Sequence, residues 1–208
     1  MPRLRTAPFL SLAALLALAA CSASAPPVRL HTLMPVEVTP RDPAASRSPI
    51  DIALEPIRVP AQVDQPQWLV RLPDDSLAVL EQERWASPLA DELRQALLEE
   101  LGARYGAIEG RVAATGNPPV LRIAVELRRF DSIPSREARI EAVWTVASGN
   151  ASPALRCQGL LSEPTAAGMP ALAAAHRRVV VRLADAIGES LVAVRRSASA
   201  TCPALDPR

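Results

Sequence analysis

The strongest periodic signal in the sequence lies near its C-terminal end, over about Pro170–Arg196. Apolar residues recur there at spacings of three and four, namely Leu172, Ala175, Val179, Leu183, Ile187, Leu191 and Val194. This spacing is that of one face of an α-helix. Because a helix with a single apolar stripe must bury it against other secondary structure, the chain needs a second packed layer.

A second helix is predicted to begin at Ser87 and Pro88. Serine is a favoured N-cap, proline is favoured at the first helical position, and Glu92 lies near the positive end of the helix dipole. One stripe repeats every four residues, at Leu89, Leu93, Leu97 and Leu101, and polar residues lie off it, at Arg94, Gln95, Glu99 and Glu100. Gly102 and Gly106 flank the expected end of this helix.

Two long stretches alternate between apolar and polar residues, Leu121–Arg128 and Arg139–Val146. Such alternation predicts strands with one buried face. Ile133–Arg136 contains Pro134 and Ser135 and is expected to connect the two strands. A third strand is predicted over Ala154–Leu161, and an antiparallel arrangement of these three neighbours is the simplest.

Shorter strands are predicted earlier in the chain. Ile50–Val59 alternates with a shift of phase at Pro56, and a proline there indicates an edge position or a bulge. Gln67–Leu72 and Ser76–Gln82 flank the turn sequence LPDDS and are predicted to form a hairpin.

These elements predict an α+β fold. About 160 residues from Ile50 onward suffice for one well-buried core. We expect a single domain over residues 50–197, with both helices packed on one face of a mostly antiparallel sheet. Residues 198–208 form a C-terminal tail in this interpretation.

Residues 1–20 have the three parts of a secretory signal: a basic start with Arg3 and Arg5, an apolar run from Ala7 to Ala17, and small residues before Cys21. Leu18, Ala19, Ala20 and Cys21 resemble a bacterial lipobox. The resemblance implies cleavage between Ala20 and Cys21 and lipidation of Cys21, where two or three acyl chains would anchor the protein. The alternative is an ordinary signal peptide cut nearby, which would leave Cys21 as a free thiol.

Residues 21–49 are rich in proline, serine and alanine. Segments of this composition stay extended, so we expect a tether that holds the domain some tens of Å from its membrane. Val28–Met34 interrupts it with an alternation typical of a short edge strand. Ser22 follows the lipobox cysteine where the aspartate that commonly retains lipoproteins in the inner membrane would lie, so the lipoprotein resemblance implies an outer-membrane location.

The composition argues against several functions. All 23 basic residues are arginine, and the aromatic residues are 3% of the chain, which gives no support to nucleic-acid binding. There is no phosphate-binding loop and no G-x-S-x-G motif. His31 and His176 are the only histidines and lack ligand-spaced companions. We therefore expect no metal, no cofactor and no enzymatic activity.

Cys157 and Cys202 are the two cysteines left if Cys21 is acylated. In an oxidising compartment they are candidates for a disulfide that pins the tail to the third long strand. The alternative is a pair of free thiols with Cys157 buried.

Several phrases together carry a family resemblance: VRLHTL from Val28, VPAQVDQPQWLVR from Val59, ERWASPLADELRQALLEEL from Glu83, LRRFDSIPSREARIEAVWTV from Leu127 and LSEP from Leu161. In this order they resemble the auxiliary lipoproteins of MCE-type lipid transport systems, the paraquat-inducible protein C family. The resemblance implies a non-catalytic periplasmic domain, anchored in the outer membrane, that binds an MCE-domain protein and assembles into a homo-oligomeric ring. His31 departs from the aromatic residue that the family often has before Thr-Leu, which puts the packing of this strand in doubt.

Four residues within these phrases are candidate partner contacts: Arg84, Trp85, Phe130 and Asp131. Tryptophan and arginine are enriched at binding hot spots, and loop residues often bind. The alternatives are structural, with Trp85 packed under the helix and Asp131 ending a strand in a turn after Phe130. A structural envelope lipoprotein is the alternative function, and a membrane-tethered enzyme is the third.

Overall fold

The computed structural model describes residues 26–35, 37, 49–110, 120–149, 154–197 and 199–205. The predicted signal peptide and Cys21 lie outside these residues, as does most of the predicted tether. Eight strands and two helices are found in the described residues, and they confirm the α+β class and the single domain.

The elements have the following bounds. The strands are β1 (Arg29–His31), β2 (Ile50–Leu54), β3 (Gln67–Arg71), β4 (Leu77–Trp85), β5 (Ala107–Glu109), β6 (Leu121–Ile133), β7 (Glu137–Ser148) and β8 (Leu155–Pro164). The helices are α1 (Leu89–Tyr105) and α2 (Met169–Arg196), and a short 3₁₀ helix covers Ala61–Val63.

The larger sheet has the order β5-β2-β6-β7-β8, and β6, β7 and β8 are antiparallel neighbours as predicted. The β2 strand pairs in parallel with both β5 and β6, so it is internal, and of the two alternatives expected at Pro56 the edge position is wrong. Pairing with β6 resumes beyond the proline, because the N–H of Glu55 donates to the carbonyl of Ile123 and the N–H of Arg58 donates to that of Val125. A step of three residues here faces a step of two on β6, so Pro56 lies in a bulge, where its missing N–H removes no bond between the strands.

The β6 strand continues through Phe130 and Asp131 to Ile133, which corrects the expectation that these residues end it. Its pairing with β7 shifts register between Leu127 and Arg129. A bulge of this kind inserts an extra residue and reverses the faces that follow. The break in alternation near Phe130 is therefore a bulge inside a long strand.

The smaller sheet has the order β1-β4-β3. The predicted hairpin is present as the antiparallel pair β3 and β4. The β1 strand lies within Val28–Met34, where a short edge strand was predicted. It pairs in parallel with the end of β4: Arg29, Leu30 and His31 lie opposite Glu83, Arg84 and Trp85. The strands of the domain are thus divided between two sheets.

The helices bury the predicted stripes. Helix α2 lies across β7 and β8 and also contacts α1. All four leucines of the α1 stripe are buried, as are Leu172, Ala175, Val179, Leu183, Ile187 and Leu191 of α2. Glu100, expected outside the stripe, is also buried. The two helices approach closely at Gly188, where an added Cβ would lie 2.3 Å from the ring of Tyr105.

Helix α1 begins one residue later than predicted. Pro88 is its N-cap and no side chain caps the first turn, so Ser87 does not have the capping role that we expected. Ser87 Oγ instead donates a hydrogen bond to Glu92 Oε1 at 2.8 Å. The hydroxyl of Ser87 therefore bonds to a side chain in the first turns of the helix and does not cap a backbone N–H.

Candidate functional site

The N-terminal segment, residues 26–35, is attached to the domain by more than its backbone pairing with β4. The N–H of Ala86 donates to the carbonyl of His31 at 2.8 Å, and the guanidinium of Arg177 on α2 donates to the carbonyl of Thr32 at 3.1 Å. Leu33 is buried in the core. The part of the chain that follows the predicted lipid anchor is therefore fixed to both β4 and α2.

Glu92 organises this attachment. Its Oε2 accepts hydrogen bonds from Thr32 Oγ1 at 2.6 Å and from the N–H of Leu33 at 2.8 Å, and its Oε1 accepts from Ser87. The carboxylate is buried, and hydrogen bonds to a charged group are worth about 1.5–3 kcal/mol each. The sequence indicated only a helix-dipole role for Glu92, because Thr32 lies sixty residues away and leaves no local signal.

A second buried carboxylate, Glu83, holds the strand side of the segment. Arg29 forms an ion pair with Glu83, and His31 Nε2 lies 2.6 Å from Glu83 Oε2. The parallel register places all three side chains on one face, because Arg29 lies opposite Glu83 and His31 lies opposite Trp85. Here His31 packs edge-on against Trp68, with ring centroids 4.9 Å apart.

Trp85 and Phe130, two of the candidate contact residues, lie in an aromatic cluster inside the domain. Trp85 packs on Trp68 with ring centroids 4.3 Å apart, and it meets Phe130 edge-on at 5.9 Å. Phe130 stacks on His176 at 4.2 Å. Neither Trp85 nor Phe130 presents its ring at the surface of the described chain, so the geometry corresponds to the structural alternative for both.

Asp131 is also buried, and its partner is within the chain. Arg71 Nη2 donates to Asp131 Oδ1 at 3.1 Å, across the junction between β3 and β6. Asp131 lies opposite Arg139 in the β6–β7 register. The turn role expected for Asp131 is wrong, because the residue lies inside a strand and its carboxylate joins the two sheets. Of the four candidates, Arg84 alone keeps a partly exposed side chain.

Arginines line a cleft beside this ion pair, between the β3–β4 and β6–β7 turns. The cleft has a volume of about 680 Å³ and is lined in part by Arg71, Arg129, Arg136 and Arg139. Each of these arginines already has an acidic partner: Asp131, Glu141, Glu137 and Glu137 respectively. Among the described residues, three carboxylates thus face four arginines, with Glu137 shared by Arg136 and Arg139, so most of the positive charge of the cleft is already paired.

Ser132 and His176 have the distance of a nucleophile and its base, and sequence analysis did not bring them together. Ser132 Oγ lies 2.8 Å from His176 Nε2 and accepts a hydrogen bond from Trp68 Nε1 at 2.7 Å. However, Ser132 is 1% exposed and His176 is 0% exposed. A substrate cannot reach Ser132 Oγ in the folded protein, so the pair is a packing contact.

The charge state of His176 follows from its burial. Loss of hydration lowers the pKa of His176 to about 3, because the charged imidazolium is disfavoured in an apolar site. Its Nδ1 is buried without a hydrogen-bond partner in the described chain. A neutral ring with one unpaired nitrogen is a cost to stability, which makes His176 a useful probe of the core.

The described residues contain no cluster of three or more histidine, cysteine or acidic side chains that could hold a metal ion. None of their helices combines the length and the apolar character that a membrane span requires.

The C-terminal tail lies along β8. Cys157 and Cys202 are joined in the structure, with Cα atoms 5.6 Å apart. Leu205 fills the space over Gly159, since an added Cβ there would lie 1.8 Å from Leu205 Cδ1. Ala204 and Leu205 border a cavity of about 330 Å³ between β8 and α2, which is also lined by Glu163, Arg182 and Asp185.

A family model described as an ABC-type transport auxiliary lipoprotein component matches residues 31–188. A crystal structure of an uncharacterised protein is similar, with a TM-score of 0.63 and 14% identity, over 79% of this chain and 98% of that chain. Protein XCC0632 from Xanthomonas campestris gives a TM-score of 0.62 and 19% identity, over 81% and 97% of the two chains. No protein of curated function matches the sequence significantly. At these identities the structural likeness shows the fold alone.

Proposed function

The chain belongs to the family of ABC-type transport auxiliary lipoprotein components, and from that premise we propose that it is the outer-membrane-anchored periplasmic subunit of a lipid transport system. In this proposal it is a non-catalytic component that binds an MCE-domain protein of the same system and works as a homo-oligomeric ring. The observation that carries the proposal is the family match over residues 31–188, which spans both sheets and most of α2.

The proposed anchor is the lipid on Cys21, with cleavage after Ala20. The lipobox-like sequence and the family description of a lipoprotein support it. Ser22 after the lipobox cysteine supports a location in the outer membrane. The complete burial of Ser132 and His176 supports a function that depends on binding and not on catalysis. The tether is shorter than the predicted range of residues 21–49, because residues 26–35 are fixed to the domain and add nothing to the length of the tether.

The test is association with an MCE-domain protein from the same bacterium. The mature chain is purified with its lipid in detergent and mixed with the MCE protein in mild salt, and the two are expected to co-elute in size-exclusion chromatography. A Cys21→Ser variant provides the control, since it should lose the outer-membrane fraction but still co-elute. Separate elution of two folded proteins would contradict the transport role and favour a structural envelope lipoprotein.

A further inference from the structure

The smaller sheet has two faces of different character. Trp68 and Val70 of β3 point into the core, so alternation places Gln67, Leu69 and Arg71 on the other face. The register then adds residues of the neighbouring strands to that face: Leu77 and Val79 lie opposite Arg71 and Leu69, Arg84 lies opposite Gln67, and Leu30 lies opposite Arg84. We call this the outer face, defined by Leu30, Leu69, Leu77, Val79 and Arg84; the exposed Glu81, in phase with Leu77 and Val79, also lies on it.

Three aliphatic side chains of the outer face are open to solvent. Leu30 is 65% exposed, Leu77 is 45% exposed and Val79 is 43% exposed. Leu77 and Val79 lie beside Leu69 at one end of the small sheet, and Leu30 lies beside Arg84 at the other. Exposed apolar surface of this kind marks a contact with another molecule or a membrane. No element of the described chain buries these three side chains.

Arg84 gives the outer face a cation without a partner. Its Nε is buried and has no hydrogen-bond partner within the described residues. Neighbouring arginines differ, since Arg29 pairs with Glu83 and Arg71 pairs with Asp131. No ion pair to Arg84 is formed by any described carboxylate, so the face combines aliphatic surface with one guanidinium suited to an anionic group from outside the chain.

The length of the N-terminal chain decides which molecule lies within reach. Leu30 follows Cys21 by nine residues, and a fully extended chain covers about 30 Å over that length. Val28, which precedes β1, is also exposed. A lipid on Cys21 therefore keeps Leu30 within about 30 Å of the bilayer, which is the reason for assigning the outer face to the membrane.

We propose that the outer face rests on the membrane that carries the anchor, with its aliphatic side chains in the interfacial region and Arg84 paired with a lipid phosphate. Amphipathic surfaces bind membranes through this combination of apolar burial and attraction to anionic headgroups. The inference rests on the proposed lipid anchor at Cys21. It assigns the domain a fixed orientation on the membrane in addition to its attachment.

Fluorescent labels on single cysteines test the proposal in the lipidated mature chain. An environment-sensitive fluorophore is attached to Leu30→Cys or Val79→Cys. Ile108→Cys and Leu160→Cys are matched controls, because they are 53% and 52% exposed on the two edge strands of the larger sheet. Cys157 and Cys202 are joined and Cys21 carries the lipid, so the added thiol alone is labelled.

The proteins are incorporated into vesicles of phosphatidylethanolamine and phosphatidylglycerol and isolated by flotation. The emission of the labels at Leu30 and Val79 is expected to shift to shorter wavelength and gain intensity, while the labels at Ile108 and Leu160 stay unchanged. Adding Arg84→Gln to the Leu30→Cys protein should reduce the shift in these vesicles, and should reduce it less in phosphatidylcholine vesicles, whose headgroups carry no net negative charge.

Three results would overturn the proposal, and they have different meanings. Flotation with the same emission at all four positions refutes the orientation and leaves the anchor intact. A shift at Leu30 and Val79 that requires the MCE protein shows that the outer face binds that protein instead of lipid. Failure to float refutes the anchor itself, and with it both this inference and the proposed attachment.

Discussion

Replacing His176 with leucine is expected to make the protein less sensitive to acid. The pKa of His176 is about 3 in the folded chain because the ring is completely buried, and it is about 6.5 in an unfolded chain. Between these values the unfolded state binds a proton that the folded state does not bind. Stability is therefore greatest above pH 6.5 and falls as the pH falls towards 3.

The size of the effect follows from the shift. Each pH unit within the window lowers the free energy of unfolding by about 1.4 kcal/mol for a single proton. Between pH 6.5 and pH 4 this amounts to about 3 kcal/mol, which the leucine variant should not lose. At pH 7 the variant forgoes the hydrogen bond from Ser132, worth about 1 kcal/mol, but it also removes the unpaired Nδ1.

The assay is urea unfolding between pH 7 and pH 4, followed by tryptophan fluorescence, because Trp68 and Trp85 both lie close to His176. Wild type and His176→Leu should be nearly equal in stability at pH 7, and the variant should be the more stable protein at pH 4. Carboxylates titrate in both proteins and cancel in the comparison. Parallel curves for wild type and His176→Leu would refute the reasoning.

Two further predictions concern the disulfide between β8 and the tail and the close contact between the two helices. Replacing Cys157 and Cys202 together by serine should lower the free energy of unfolding by about 2–4 kcal/mol, because the disulfide closes a long loop. Mass spectrometry of the non-reduced wild-type protein should show no free thiol at either position. Two free thiols would contradict the disulfide. Gly188→Ala should cost about 1–3 kcal/mol in thermal or urea unfolding, since the added methyl group overlaps the ring of Tyr105. Recovery of stability in the double variant Gly188→Ala, Tyr105→Leu would support this contact as the cause, and an unchanged midpoint for Gly188→Ala alone would contradict it.

The parts of the fold that the sequence predicted are those with a local pattern. The α1 and α2 stripes repeat within each helix, and the alternation of β6 and β7 shows which of their faces is buried. The sequence could not show that β1 pairs in parallel with β4, because the paired residues are more than fifty positions apart and β1 is only three residues long. The division into two sheets depends on that pairing.

The candidate site was less predictable for a related reason. Trp85 follows a stretch of β4 where the register with β3 shifts between Gln67 and Trp68, so counting residues along the strand does not reveal the face on which it lies. Glu92 lies in the first turn of a helix, where an acidic residue is usual, and nothing local distinguishes it from an exposed one. Its role depends on Thr32, which only tertiary structure brings near.

The attachment of β1 to β4 shortens the reach of the lipid anchor that we propose at Cys21. While β1 stays on β4, the first fixed point after Cys21 is Arg29, and the extended chain between them spans about 28 Å. If residues 26–35 were all released from the domain, a fully extended chain from Cys21 to Ile50 in β2 would span at most about 100 Å. A pull between the membrane and the domain is borne first by the hydrogen bonds of β1 and Glu92. These few hydrogen bonds would break under load before the folded domain does, and their rupture would lengthen the polypeptide between the membrane and the domain.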